Sequence, residues 1–193
     1  MYHDVIIAGF GGQGVLFMGN LLAQAGLEEG RHVTFMPAYG VEMRGGTANC
    51  NVILSSEPIG SPIPDTPHSG LIMNEASLVR FQKAIREHGF LFYNSSLVPG
   101  DRVTRRDVQA LAVPANDLAK QLGSDQVASL VMLGCFVGWT RIVRPETLRP
   151  AVDEMLPAKS RERFLAMNLR ALDEGLRFAE RLRDKTPDPS PEG

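Results

Sequence analysis

The segment Gly9-Phe10-Gly11-Gly12-Gln13-Gly14 limits the fold more than any other stretch of the chain. Before it, Asp4 to Ala8 is a short run that reads as a strand. Behind it, Val15 to Glu29 carries Leu16, Leu21, Leu22, Ala25 and Leu27 at roughly helical spacing, and Gly30 stands where helices usually end. The glycines satisfy G-x-G-x-x-G in the setting where N–H groups at a helix N-terminus can hold a phosphate. A dinucleotide site also needs an acidic residue about 20 residues further on, at the end of the second strand, to hold a ribose. Here His32 to Met36 reads as that strand and runs into Pro37-Ala38-Tyr39, with no acid. Two readings of the glycines stay open: contact with a phosphate or another anion, and a tight turn that lets helix and sheet pack closely.

The same rhythm continues along the chain. Asn49 to Leu54 reads as a strand, and Ser55 to Gly70, with Pro58, Gly60, Pro62, Pro64 and Pro67, as a long loop. Gly70 to Met73 is a short strand, Glu75 to His88 a helix with Leu78, Phe81 and Ile85 on one face, and Phe90 to Tyr93 another strand. Val108 to Val113 adds a strand, and a short helix starting at Pro114 or Asn116 runs through Leu122. Gln126 to Trp139 is apolar almost all round, the pattern of a helix buried on several sides. Its small residues, Ala128, Ser129, Gly134, Cys135 and Gly138, admit a close neighbour, and packing within this domain is favoured over packing against another chain. Pro145 to Leu156 and Ser160 to Leu182 read as two final helices. The pattern predicts one domain over residues 1–185 and a flexible tail at 186–193. The fold class is α/β, three-layer, with a mostly parallel sheet, helices on both faces and a Rossmann-like start.

Composition removes several classes of function. The chain has 193 residues, 44% of them apolar and 22% charged, which suits an ordinary globular domain and not a disordered or fibrous one. A net charge of -2 and the lack of a long Lys/Arg block leave no positive stripe for nucleic acid. Two cysteines, Cys50 and Cys135, are too few for a four-thiolate cluster, and His3, His32, His68 and His88 lack metal-ligand spacing. The start of the chain lacks the basic region of a signal peptide, and the longest mainly apolar run, Val127 to Trp139, falls short of the roughly 20 residues of a membrane span. A cytoplasmic location is expected.

A second unusual segment runs from Pro37 to Cys50 and includes Tyr39, Glu42, Arg44, Gly45, Gly46, Thr47 and Asn49. Arg44 can fork onto a carboxylate or phosphate, and Gly45-Gly46 lets a ligand or another backbone come near. A Glu42–Arg44 ion pair is the plainer alternative. Neither segment resembles a nucleophile with its base, since Ser55, Ser56 and Ser61 lack a G-x-S-x-G setting. Nothing near Cys50 guarantees a lowered thiol pKa, so a small buried residue is the expectation there.

Four pieces in order resemble the gamma subunit, or gamma domain, of the 2-oxoacid:ferredoxin (acceptor) oxidoreductases. They are Ala8 to Gly14, Tyr39 to Cys50, Pro58-Ile59-Gly60-Ser61-Pro62, and Asn74 followed by Ser77, Leu78 and Phe81. The resemblance covers about residues 4 to 175, and the length suits a free-standing gamma subunit. It implies a multi-subunit enzyme that oxidatively decarboxylates a 2-oxoacid to its acyl-CoA, with thiamine diphosphate, Mg and Fe–S clusters on other subunits and coenzyme A as substrate. The implied partners are the alpha, beta and ferredoxin-like subunits, with ferredoxin or a similar acceptor taking the electrons. By this resemblance the chain alone binds no cofactor and holds no catalytic residue. Gly11, Gly12, Gln13, Gly14, Tyr39, Glu42, Arg44, Gly45 and Gly46 are then expected to touch a phosphate-bearing ligand or the thiamine-binding subunits. The substrate implied is 2-oxoglutarate in preference to an aryl 2-oxoacid such as indolepyruvate. A self-sufficient nucleotide-dependent oxidoreductase and a purely structural scaffold are the rival readings.

Overall fold

The computed structural model describes residues 1–39, 46–156 and 158–185. Among these residues six strands, β1 (Tyr2–Phe10), β2 (His32–Tyr39), β3 (Thr47–Ser55), β4 (Ser69–Ile72), β5 (Phe90–Asn94) and β6 (Gln109–Val113), form one sheet. Six described α-helices join or cover them: α1 (Val15–Glu28), α2 (Glu75–Phe81), α3 (Ala115–Gln121), α4 (Ala128–Thr140), α5 (Pro145–Met155) and α6 (Ala158–Lys185). The strand order is β2-β3-β1-β4-β5-β6. β1, β4, β5 and β6 pair in parallel, whereas β3 runs antiparallel to both its neighbours. The expected α/β architecture is therefore present, but β2 is not the strand beside β1, because β3 turns back from β2 and occupies that place.

Alternation along β1 divides the core. Val5 and Ile7 face α1, α4 and the C-terminal helices, together with Val52, Leu54, Leu71 and Phe92, and Phe92 meets Phe136 of α4 edge-on at 5.4 Å. Ile6 and Ala8 face the other way, where Leu78 of α2, Ile85, Val98 and Val103 cover Ile72 and Leu91. α4 is buried from Ala128 to Gly138, as its all-round apolar sequence requires. Its neighbour on the outer side is α6, and the two backbones meet through Gly134, Gly138 and Gly175. The small residues of α4 thus serve packing within the domain.

Two elements differ from expectation. β2 continues through Pro37 to Tyr39, which is possible because β2 is an edge strand, where a proline is tolerated. α2 ends at Phe81, followed by a 3-10 turn over Gln82–Ala84 and by Ile85 in an extended conformation, not at His88. The cause is Arg105, whose Nη1 donates to the carbonyls of Gln82 at 2.9 Å, Lys83 at 3.2 Å and Ile85 at 2.9 Å. Asp107 holds that guanidinium through both its oxygens, at 2.6 Å each. Ile85 still reaches the core. The proposed tail at 186–193 lies outside the described residues. No described helix is long and apolar enough to cross a membrane.

Candidate functional site

The chain leaves β1 into α1 on one face of the sheet and leaves β4 into α2 on the other. A crevice must open between the C-terminal ends of β1 and β4, the place where ligands of such sheets bind. Here the Gln13 side chain fills it. Gln13 Oε1 accepts from Phe10 N at 2.8 Å and from Asn74 Nδ2 at 2.8 Å, and Gln13 Nε2 donates to the Met73 carbonyl at 3.4 Å. Asn74 also caps α2, its side chain accepting from Ser77 N at 2.9 Å. The glycine turn is further tied down by Gly11 N, which donates to Gly46 O at 3.1 Å, and by Gln13 N, which donates to Phe10 O at 3.1 Å.

Gly12 and Gly14 have φ of +96° and +73°, a region that side chains other than glycine rarely adopt. A Cβ on Gly14 would also lie 2.5 Å from Ser129 Oγ, so the absence of a side chain lets the start of α1 touch the start of α4. A second amide pair stands next to Gln13. Asn94, fully buried at the end of β5, donates through Nδ2 to Met73 O at 3.3 Å and to Asn116 Oδ1 at 2.7 Å. Beyond these groups lies a cleft of about 220 Å³, walled by Gly12, Gln13 and Met73 on one side and by Asn116, Gln126 and Ser129 on the other.

Of the residues singled out in the sequence, Gly11, Gly12, Gln13, Gly14 and Gly46 come together at this edge. Tyr39 closes β2, where its backbone pairs with Ala48, and its side chain lies outside the described part. Glu42, Arg44 and Gly45 also lie outside the described residues. Sequence reasoning missed Asn94, Asn116, Gln126 and, as a wall of a cleft, Ser129. The available signal was an asparagine directly after an apolar strand, at Asn74 and again at Asn94. The insertion of β3 also places the end of β2 two strands from the glycine turn, so the ribose-binding position of a dinucleotide site is displaced as well as lacking its acid.

Other titratable groups among the described residues lie away from this notch. Burial pushes the thiols of Cys50 and Cys135 up to about 12, so neither is a thiolate at neutral pH. At the opposite end of the sheet, Asp4 Oδ1 accepts from His68 N at 2.7 Å and pairs with the His68 ring, which stacks near His3 with 5.1 Å between centroids. Among the described residues, no group of three or more His, Cys, Asp and Glu is arranged to hold a metal ion.

The notch beside the glycine turn is lined by amides, a hydroxyl and the Asp125 carboxylate, on a sheet with one inserted antiparallel strand. Residues 4–178 match the family model of pyruvate ferredoxin/flavodoxin oxidoreductase, and the chain belongs to that family. It is 41% identical over 177 residues to the ketoisovalerate oxidoreductase subunit VorA of Methanothermobacter thermautotrophicus, a match covering 91% of this chain and 36% of that relative. The chain thus spans little more than a third of that protein's length. Among solved structures, it resembles the gamma subunit of a keto/oxoacid ferredoxin oxidoreductase from Geobacter sulfurreducens, with a TM-score of 0.79, 26% identity and coverage of 94% of this chain and 98% of that one. It also resembles 2-oxoglutarate:ferredoxin oxidoreductase from Magnetococcus marinus, solved with 2-oxoglutarate, coenzyme A and succinyl-CoA bound. There the TM-score is 0.85 and the identity 25%, with 96% of this chain and 32% of that chain covered.

Proposed function

We propose that this chain is the gamma subunit of a thiamine diphosphate- and Fe–S-dependent enzyme that oxidatively decarboxylates a 2-oxoacid to its acyl-CoA and passes electrons to ferredoxin or a similar acceptor. The observation that carries this reading is the family match over residues 4–178, joined to a fold shared with a free-standing gamma subunit. Two buried cysteines do not fit an Fe–S cluster, which agrees with clusters and thiamine diphosphate residing on alpha, beta and ferredoxin-like partners. Thiamine diphosphate supplies the electron sink for cleaving the bond to the carboxylate. The contribution of this chain is enclosure and positioning, with Gly11 to Gly14, Tyr39, Glu42 and Arg44 to Gly46 as its contact with coenzyme A or with a partner subunit. 2-Oxoglutarate, a branched-chain 2-oxoacid and pyruvate stand as substrate candidates, since the relatives include enzymes of all three kinds.

Isolation of the protein from its own cells without oxygen, followed by native mass and metal analysis, tests the proposal. Co-purifying subunits with iron, sulfide and thiamine diphosphate are expected, and the complex then reduces an acceptor with one of these 2-oxoacids. A lone 21.1 kDa species carrying a bound nucleotide would overturn it.

A further inference from the structure

We propose that His68 is a proton-operated switch: with one ring proton it ties the end of the proline-rich strap between β3 and β4 to Arg86, and with two it lets Arg86 go. The switch lies at the end of the sheet opposite the glycine turn and does not depend on the function proposed above.

The strap is held at its two ends. Among the described residues, no hydrogen bond joins residues 58–66 to the rest of the chain. At the near end, Ser56 N donates to Met1 O at 2.9 Å and Met1 N donates to Ser56 Oγ at 2.7 Å. At the far end, Pro67 is buried and His68 is fixed from two sides. On the buried side, Asp4 Oδ1 accepts from His68 N at 2.7 Å and pairs with the ring Nδ1, and Phe90 N donates to His68 O at 2.9 Å. On the solvent side, Arg86 N donates to Pro67 O at 3.0 Å, and the Arg86 guanidinium meets His68 Nε2.

The two neighbours of the ring have opposite and fixed characters. A carboxylate only accepts, and a guanidinium only donates. Nδ1 beside Asp4 must therefore carry a proton, and Nε2 beside Arg86 must offer its lone pair. That is a neutral imidazole in one defined tautomer. A second proton, on Nε2, would set donor against donor and cation against cation on the Arg86 side. The same proton strengthens the other side, where the bond to the buried Asp4 becomes charge-assisted from both partners. The ring therefore stays on Asp4, and the guanidinium leaves for the solvent that already reaches it.

The other groups around the ring leave this choice to Asp4 and Arg86. Tyr2 and His3 of β1 stand with 5.8 Å and 5.1 Å between ring centroids. His3 Nε2 is engaged with Ser69 Oγ of β4 at 2.9 Å, and burial holds His3 to about 4, so it is largely uncharged over the range in which imidazoles ordinarily titrate. The Tyr2 hydroxyl is raised from its ordinary value, first by burial and then by Asp4, and is neutral over the same range. Phe136, the α4 side chain against His3, carries no charge.

The test is NMR spectroscopy of the full chain labelled with 15N in histidine and arginine, followed from about pH 8 to about pH 5, the span in which imidazoles change charge. At the upper end, the His68 ring is expected to carry its proton on Nδ1, and the Arg86 guanidinium nitrogens to give separate signals away from the solvent-averaged position. As the ring takes its second proton, the Arg86 signals collapse to the averaged position in the same step. In His68→Asn, whose amide can donate to Asp4 and does not titrate, the Arg86 signals keep one position over the whole span. Should that variant fail to fold, the unsubstituted protein decides alone, since ring and guanidinium are read in one spectrum. A ring proton on Nε2 at the upper end, Arg86 signals that stay in place while the ring titrates, or Arg86 signals that move alike in His68→Asn each overturn the switch.

Discussion

Gly175→Ala is the sharpest test of how the C-terminal half is held together. A Cβ on Gly175 would lie 2.1 Å from the Val131 carbonyl oxygen, 2.7 Å from Cys135 N and 2.9 Å from the Gly134 Cα. All three neighbours are backbone, so no rotamer change relieves the clash. Ordinary contact needs about 3.5 Å, and α6 must therefore move away from α4 by about 1 Å or more. A gap of that size forfeits a quarter to a half of each affected van der Waals contact, along a helix that is buried from Ala128 to Gly138. Overpacking of this kind costs about 1–3 kcal/mol or more, and the better helix propensity of alanine returns only about 1 kcal/mol. With the lost contacts included, the net loss is about 2 kcal/mol, a shift of about 1 M in the urea midpoint at a slope near 2 kcal/mol/M. Equilibrium urea unfolding followed by circular dichroism measures it. A Gly175→Ala protein as stable as the original, or more stable by the propensity gain, would refute the close approach of the two helices.

Two further outcomes follow from the same geometry. Gly12→Ala and Gly14→Ala share the cost of a positive φ, roughly 1–2 kcal/mol, but only at Gly14 does the new Cβ strike Ser129. Gly14→Ala should therefore lose about 1–3 kcal/mol more than Gly12→Ala in a thermal melt, and the reverse order would contradict the contact between the starts of α1 and α4. At the other end of the sheet, His3 is held to about 4, first by burial and then by the neighbouring His68, against an ordinary value of 6.5. The unfolded chain thus takes up the proton first as the pH falls, so the stability is complete above about pH 6.5 and declines toward pH 4. The gap corresponds to about 3 kcal/mol at most, at 1.36 kcal/mol per unit. His3→Gln should flatten this part of the stability profile by close to one proton, and identical profiles would show that His3 is not the group responsible.

Element type was legible in the sequence because each element carries its own period. The strand–turn–helix at Asp4 to Glu29 and the all-round apolar helix after Gln126 needed no tertiary information. Pairing did require it. A strand such as β3 can sit on either side of its partners without any change in its own pattern, and here it turned back between β2 and β1. The early end of α2 was equally hidden, since the group that terminates it, Arg105, lies 20 residues or more along the chain from the carbonyls it binds.

The amide edge of the site occupies a middle position. Asn74 follows Leu71-Ile72-Met73, Asn94 follows Phe90-Leu91-Phe92-Tyr93, and Asn116 follows Val113 by three residues, so each amide stands just past an apolar run. Taken singly, each is an ordinary helix cap or turn residue. Once β1, β4, β5 and β6 are known to run in parallel, however, the ends of those runs must share one edge of the sheet. The three asparagines then fall beside Gln13 of the glycine turn, which shares the Met73 carbonyl with Asn94. Parallel topology is therefore the step that turns a scattered polar pattern into a single site, one that the glycine motif alone, open to both a phosphate contact and a packing turn, did not define.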